Sequence, residues 1–232
     1  MDTTQLKEKL KDQLSEIHQR GYIVSLRGGP TGIGKTLETL LGVKENNLKS
    51  PDLGNIELKC KRIKSTSRIT MFTSDKGVWK IEQKELIKQY GKENEKGRWG
   101  LYTTAKNQPN NRGFFVKVDQ DAIRVCNIDG HIAVEWQLED LIEYLNEKLL
   151  NVLLVHAESY KSGGQEEFWY KEAYLLTGLI LERFFELIED GAIVIDLRMH
   201  IKESGSVRNH GTGFRLHRRY WDSCYNNTER LL

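Results

Sequence analysis

The chain has 232 residues, 38% of them hydrophobic, and its 35 lysines and arginines nearly balance 33 aspartates and glutamates, for a formal net charge of +2. That is enough apolar material for one large domain, or one domain in two lobes, without disulfides or structural metal. No apolar run approaches the roughly 18 residues that cross a membrane, and the charged, amphipathic start from Met1 to Arg20 lacks the apolar centre of a signal peptide, so a cytoplasmic protein with no membrane partner is expected.

Residues 4–19 carry Leu6, Leu10, Leu14 and Ile17 at helical spacing, and Gly21 ends the run. Residues 22–26 read as a short strand, 28–34 as a glycine-rich turn, 36–43 as a short helix and 46–54 as a loop. Ile56, Leu58 and Cys60 alternate with Glu57, Lys59 and Lys61, the period-2 pattern of a half-buried strand, and 69–72 is a second strand. Residues 84–90 look helical, and the polar stretch 91–113 reads as a long loop. Runs at 114–118, 122–127 and 131–136 suggest a meander with Asp129-Gly130 as a hairpin turn. A helix at 138–150, a buried strand at 152–157, a loop at 160–166, a strongly patterned helix at 171–189, a buried strand at 192–197, a polar loop at 202–213 and a strand at 214–216 complete the pass. Such an order is mixed α/β. The cysteines Cys60, Cys126 and Cys224 are far apart and show no C-x-x-C spacing, which argues for reduced thiols over a zinc site.

Charge is distributed unevenly. Lys59, Lys61, Arg62, Lys64 and Arg68 form one basic cluster; Arg208, His210, Arg215, His217, Arg218 and Arg219 form another. Clustered bases on a near-neutral chain fit a surface for a polyanion, or two solvated faces.

Two motifs compete for the chemistry. Gly29-Pro-Thr-Gly-Ile-Gly34-Lys35-Thr36 satisfies the G-x-x-x-x-G-K-[ST] loop that cradles phosphates in nucleotide hydrolases, and Ala192-Ile-Val-Ile-Asp196 has the form of the strand that would hold its Mg²⁺. The helix after Thr36 is short, however, and the next strand alternates charges, whereas strands of a parallel nucleotide-binding sheet are buried on both faces. The second motif is Pro51-Asp52, four residues, then Glu57-Leu58-Lys59. Glu57 and Lys59 lie two apart on a strand and so share a face. Two carboxylates supply hard oxygens suited to Mg²⁺, which can acidify a bound water; a lysine adds a cation for the phosphoryl charge. This is what phosphodiester hydrolysis requires, although as a bare pattern it also describes an ordinary charged strand face.

The flanking residues enlarge the second motif. Thr31-Gly-Ile-Gly-Lys-Thr-Leu-Glu38 through Asn47, followed by Pro51-Asp52-Leu-Gly-Asn-Ile-Glu57-Leu-Lys59, resembles the MvaI/BcnI family of type II restriction endonucleases, monomeric relatives of the mismatch-repair nicking enzyme MutH. The likeness continues in 154–159, 190–198, 210–216 and 226–232 and is least distinctive over 77–150. The resemblance implies a MutH-like fold: a central mixed sheet flanked by helices, in two lobes that form a DNA cleft. It implies a single endonuclease domain, with a catalytic lobe mainly in 1–150 and a recognition lobe mainly in 151–232. Asp52, Glu57 and Lys59 become catalytic, with Asp52 and Glu57 on one or two Mg²⁺ ions, and Glu38 an accessory acid. His210 and Arg215 become base contacts, as arginine reads guanine through two hydrogen bonds. Thr73 stands where one relative places a base-reading histidine, and Arg62, Lys64 and Arg68 become phosphate contacts. The expected reaction is Mg²⁺-dependent cleavage of double-stranded DNA at a short GC-rich site of the CCNGG kind, by a monomer that leaves 5′-phosphates and uses no nucleotide. A nucleotide hydrolase built on Gly29–Thr36, a nicking enzyme and a DNA-binding protein without catalysis remain the alternatives.

Overall fold

The computed structural model describes residues 3–43, 50–74, 77–95 and 97–232; the stretch 44–49, which includes part of the family-like segment and the start of the loop expected at 46–54, lies outside them. In chain order the elements are α1 (Thr3–Gln19), β1 (Ile23–Val24), α2 (Gly32–Leu40), β2 (Glu57–Arg62), β3 (Ile69–Ser74), β4 (Val78–Trp79), α3 (Gln83–Tyr90), β5 (Lys92–Glu93), β6 (Trp99–Ala105), β7 (Phe114–Val118), β8 (Ala122–Asn127) and β9 (Ile132–Gln137). They continue with α4 (Leu138–Lys148), β10 (Asn151–Ser162), β11 (Gln165–Leu179), α5 (Leu181–Glu189), β12 (Ile193–Ile201), β13 (Val207–Asn209), β14 (Thr212–Leu216) and β15 (Tyr225–Arg230). The mixed α and β composition is the one the sequence implies.

The chain forms two compact units, and they interleave in sequence. One comprises Met1–Ile69, Tyr144–Leu179 and Tyr225–Leu232; the other comprises Thr70–Glu143 and Ile180–Cys224. The lobe boundary expected near residue 150 is therefore not where the chain divides: β10 and β11 belong with the N-terminal residues.

The first unit holds a mixed sheet in the order β1-β11-β10-β2, with β15 also on β11. β10 runs parallel to β2 and antiparallel to β11. One face of this sheet is the core. Leu58, Leu153, Val155, Ala157, Tyr170, Ala173 and Leu175 pack with Leu10, Leu14 and Ile17 of α1 and Ile33 and Leu37 of α2. Burying each such aliphatic side chain contributes roughly 1.5–3 kcal/mol, so the apolar stripe, more than helix propensity, fixes α1 in place. The other face carries Glu57 and Lys59, because their side chains alternate with Leu58 along β2.

The second unit holds two sheets, β3-β14-β12-β6-β5 with β13 on β12, and β4-β9-β8-β7. In the first of these, registers Asp196↔Thr104, Arg198↔Tyr102 and His200↔Gly100, with Val194↔Arg215, set one polar face. The opposite face is apolar: Phe72 stacks on Phe214 at 4.5 Å, and Phe184 of α5 lies 6.2 Å from Phe72.

Several expectations fail, among them the loop at 160–166, since β10 runs to Ser162 and β11 starts at Gln165. The helix expected over 171–189 is two elements, strand β11 to Leu179 and helix α5 from Leu181. β11 is paired on both sides, with β10 on one and β1 and β15 on the other. Ala173, Leu175 and Leu176 are buried and Tyr174 is half-buried, so apolar side chains occupy both faces here and the run loses the period-2 signature. The loop expected over 91–113 contains β6, which pairs with β12 through Ala105 to Gly100. The loop expected at 202–213 contains β13 and the start of β14. The short helix also begins earlier than expected, at Gly32, where a Cβ would come within 2.2 Å of the Arg27 carbonyl oxygen, so only glycine fits.

Candidate active site and recognition face

Asp52 and Glu57 are brought together by a tight turn. Leu53 and Ile56 exchange backbone hydrogen bonds at 2.9 and 3.1 Å, and Gly54 supplies the positive φ of 66° that the turn needs. Asp52 then reaches forward, and its Oδ2 accepts the Leu58 amide at 3.0 Å. That bond locks the aspartate to the start of β2, one residue from Glu57.

Glu57 is almost fully buried, with 5% of its side chain exposed. Its Oε1 accepts from Lys59 Nζ at 2.7 Å, the pairing that i,i+2 spacing on a strand permits. Its Oε2 makes no hydrogen bond among the described residues, but Lys148 Nζ stands 3.4 Å away. Lys148 is the last residue of α4, just before β10. A buried carboxylate is costly unless its charge is compensated. Here two lysines compensate one glutamate.

The other side of β2 supplies a link to Glu38. Burial raises the Cys60 thiol well above its ordinary value; the charges of Glu38 and Asp52 push it the same way and Lys59 opposes them. Glu38, Asp52 and Lys59 therefore lie within electrostatic reach of one sulfur atom. The hard-oxygen donors and the unbonded Glu57 Oε2 suit a divalent cation, although no group of three or more His, Cys, Asp or Glu side chains forms a ready-made cage among the described residues.

The glycine loop has a different construction from a phosphate cradle. Its carbonyls, not its amides, are directed at a partner: Arg62 donates to Gly29 O at 3.2 Å and Pro30 O at 3.1 Å. Pro30 has no amide to offer. Thr36, which would bind Mg²⁺ in a nucleotide site, is fully buried and accepts the Leu26 amide at 3.0 Å. The preceding strand, β1, is two residues long and antiparallel to β11. Asp196, the would-be second metal ligand, sits in mid-strand in the other compact unit. Arg62 itself was expected on phosphate. Its guanidinium instead forms a two-pronged pair with Glu166 at 2.7 Å and 2.7 Å and lies 5.1 Å over Phe168, so it ties the glycine loop to β11. Lys64 and Arg68 are exposed beyond the end of β2.

The polar face of the second unit gathers the expected recognition residues. Arg215, on β14, donates to Asp196 Oδ2 at 2.7 Å, and Thr104 donates to Asp196 Oδ1 at 2.6 Å. Arg198 reaches the carbonyls of His210 and Gly211 at 3.4 and 3.3 Å. His210 is exposed, with its Nε2 3.2 Å from His200 Nδ1; Tyr102 Oη lies 3.0 Å from that same nitrogen. Burial lowers the affinity of both histidines for a proton, and nearby arginines act in the same direction. Thr73 is exposed on β3, which pairs with the strand of Arg215.

The family model for the MvaI/BcnI restriction endonucleases matches residues 11–225. The chain belongs to the MvaI/BcnI restriction endonuclease family. It is therefore a type II site-specific deoxyribonuclease, an enzyme that cleaves DNA at defined sequences. A solved complex of restriction endonuclease MvaI with cognate DNA is 27% identical and covers all of both chains with a TM-score of 0.84. MvaI in the absence of DNA is 26% identical over 100% of this chain and 99% of that one, with a TM-score of 0.54. A search of curated proteins found no match. No helix among the described residues is long and apolar enough to cross a membrane.

Within this member of the MvaI/BcnI family, four residues beside the expected ones were not assigned to these sites from sequence; Asp196 was read only as a possible metal ligand of a nucleotide site. Lys148 lies 89 positions after Lys59 and reads as an ordinary helix-end lysine. Asp196, Arg198 and His200 alternate on β12 with Leu197 and Met199. That alternation is a signal for a polar face, but the apolar run 192–197 conceals its start.

Proposed function

We propose that the first unit performs Mg²⁺-dependent hydrolysis of DNA phosphodiester bonds through Asp52, Glu57 and Lys59, and that the polar face of the second unit reads the bases. The observation that carries this is the buried Glu57, pinned between Lys59 and Lys148 beside an aspartate, in a chain of an endonuclease family. Asp52 and Glu57 would hold the cation, which when bound lowers the pKa of a water and stabilises phosphoryl charge. Lys59 holds Glu57 in place and offers a cation to the phosphate; Glu38 is an accessory acid. Lys148 neutralises the second oxygen of Glu57.

His210, Arg215 and Thr73 are the base-reading candidates, with Asp196 orienting the guanidinium of Arg215. Lys64 and Arg68 contact phosphates, which sets affinity and salt dependence without selecting sequence. We further propose double-stranded DNA with a GC-rich CCNGG-type site as substrate, 5′-phosphate products, a cytoplasmic setting and a monomer that cuts one strand at a time. The likeness to an MvaI–cognate DNA complex supports this reading.

The test is digestion of plasmid and of duplexes carrying CCNGG sites with Mg²⁺, with and without EDTA and ATP, for wild type, Asp52→Asn, Lys59→Met and Lys35→Ala. Cutting at discrete sites, abolished by EDTA and by the first two substitutions and indifferent to ATP and to Lys35→Ala, is expected. Loss of cutting in Lys35→Ala with full activity in Asp52→Asn would overturn the assignment. Specific binding without cutting under any divalent metal would overturn catalysis itself.

A further inference from the structure

A second charged site lies in the second unit, apart from Asp196 and Arg215. The hairpin between β12 and β13 closes through Lys202 and Ser206, with Gly205 at φ 78°. Together with Arg98, before β6, it borders an open surface pocket of about 280 Å³ lined by Arg98, His200, Lys202, Glu203, Ser204 and Arg208. Three permanent cations face it against one carboxylate. That carboxylate, Glu203, is 92% exposed and only 3.9 Å from Arg98, a loose and solvated pair. The Lys202 and Arg208 side chains have no hydrogen-bond or ion-pair partner among the described residues.

The wall residue His200 gives a second, independent indication. It is 9% exposed, and its Nδ1 is occupied by Tyr102 Oη at 3.0 Å and His210 Nε2 at 3.2 Å. Its other nitrogen, Nε2, has no hydrogen-bond partner among the described residues. A neutral imidazole that accepts the tyrosine proton at Nδ1 carries its own proton on Nε2 and can donate it. After burial, the charges of Arg98, Arg208 and Lys202 are what hold His200 against protonation, so all three converge on the same ring. Gly100 keeps the arrangement open: a Cβ there would meet Tyr102 at 2.8 Å and His200 Cβ at 3.2 Å.

We propose that this pocket is a seat for one phosphodiester of the DNA backbone, with Arg98, Lys202 and Arg208 neutralising its charge and His200 Nε2–H donating to an oxygen. The proposal rests on the endonuclease reading and adds to it a fixed backbone contact beside the base-reading His210. Such a contact sets register on the duplex without carrying sequence information.

The experiment is fluorescence anisotropy of a labelled duplex carrying a CCNGG site, and of one lacking it, without divalent metal, from about 50 to 200 mM salt. Wild type is compared with Lys202→Ala/Arg208→Ala and with Lys11→Ala, an exposed lysine of α1. Both replaced side chains are exposed, and thermal melts establish that the variants fold. The double variant is expected to weaken binding to both duplexes alike and to lower the slope of log K against log salt by about 0.9 for the lost phosphate. Lys11→Ala should leave the slope unchanged. Inorganic phosphate should shift the His200 ring nitrogens in long-range ¹H–¹⁵N spectra of wild type but not of the double variant. An unchanged slope in the double variant, while wild type binds with normal salt dependence, overturns the seat and leaves the nuclease reading intact. Weakening confined to the CCNGG duplex assigns these residues to base contact and also overturns it. Failure of wild type to bind either duplex overturns both.

Discussion

The pairing of Glu57 with two lysines makes a quantitative prediction about the metal-free protein. Lys148 lies 3.4 Å from Glu57 Oε2, with 17% and 5% of the two side chains exposed. At an effective dielectric near 20, two unit charges at that distance attract by about 5 kcal/mol. Desolvation of the ammonium offsets several kcal/mol of this, which leaves a net coupling of about 1–3 kcal/mol, the range of hydrogen bonds to charged groups. Lys148→Met strips the compensation from a buried oxygen that has no hydrogen bond. Glu57→Gln removes the charge itself, so Lys148→Met should matter little in that background. A double-mutant cycle by urea unfolding in EDTA measures the difference. Mn²⁺ titration of the same proteins supplies a second readout: without an ammonium beside Oε2, Lys148→Met should bind the ion more tightly than wild type even as cleavage falls. A coupling below about 0.5 kcal/mol, the ordinary scatter between independent sites, together with unchanged Mn²⁺ affinity, would refute the two-lysine account of Glu57.

Two further outcomes follow from the second unit. Asp196→Asn should weaken binding to a cognate duplex by about 1–3 kcal/mol, the cost of removing a charge-assisted partner, and affect a non-cognate duplex far less, since Arg215 loses its orientation and not its charge; equal losses on both duplexes in anisotropy titrations would count against a base-reading Arg215. Glu135 accepts from Lys80 and Arg124 at 2.8 Å each, and Arg124 also holds Asp119 and Asp121. Those partners lower the Glu135 carboxyl below its ordinary 4.5, so its contribution to stability is full above that value and fades as pH falls through the lowered one. Urea unfolding of wild type and Arg124→Met should accordingly differ most near neutrality and converge in acid; a gap that widens as pH falls would contradict this sign.

How far the fold could be read depended on how each strand is enclosed. β2, with one face on the core and one charged, alternates cleanly and was legible. The meander β7–β9 was legible from its short apolar runs, with Asp129-Gly130 marking the turn between β8 and β9. β11 was misread as helix because adjacent Leu175 and Leu176, on opposite faces, are both buried, which erases the alternation that betrays a strand. β6 was missed for a different reason: its Trp-Gly-Leu-Tyr-Thr-Thr run favours a strand, but it lies inside a long polar stretch rich in Gly, Asn and Lys that reads as loop, and its partner β12 is remote in sequence. The interleaving of the two units is a matter of long-range pairing, since β10 joins β2 across some 90 intervening residues, and no local pattern records that.

The candidate site shows the same limit in chemical terms. Asp52, Glu57 and Lys59 could be aligned from spacing alone, because a tight turn and an i,i+2 pair are local geometry. Lys148 and Asp196 could not, because each acts through a partner that is remote in sequence. The glycine-rich motif was the stronger pattern of the two and the wrong guide. A phosphate loop and a carbonyl hook can share Gly-x-x-x-x-Gly-Lys-Thr, and what separates them is the direction of the backbone dipoles. Here the carbonyls of Gly29 and Pro30 point at Arg62, and the hydroxyl of Thr36 is closed by the amide of Leu26. The loop is a cation hook whose work is to seat α2, and with α2 comes Glu38. The feature that competed with the nuclease motif thereby supports the helix that carries Glu38, the proposed accessory acid.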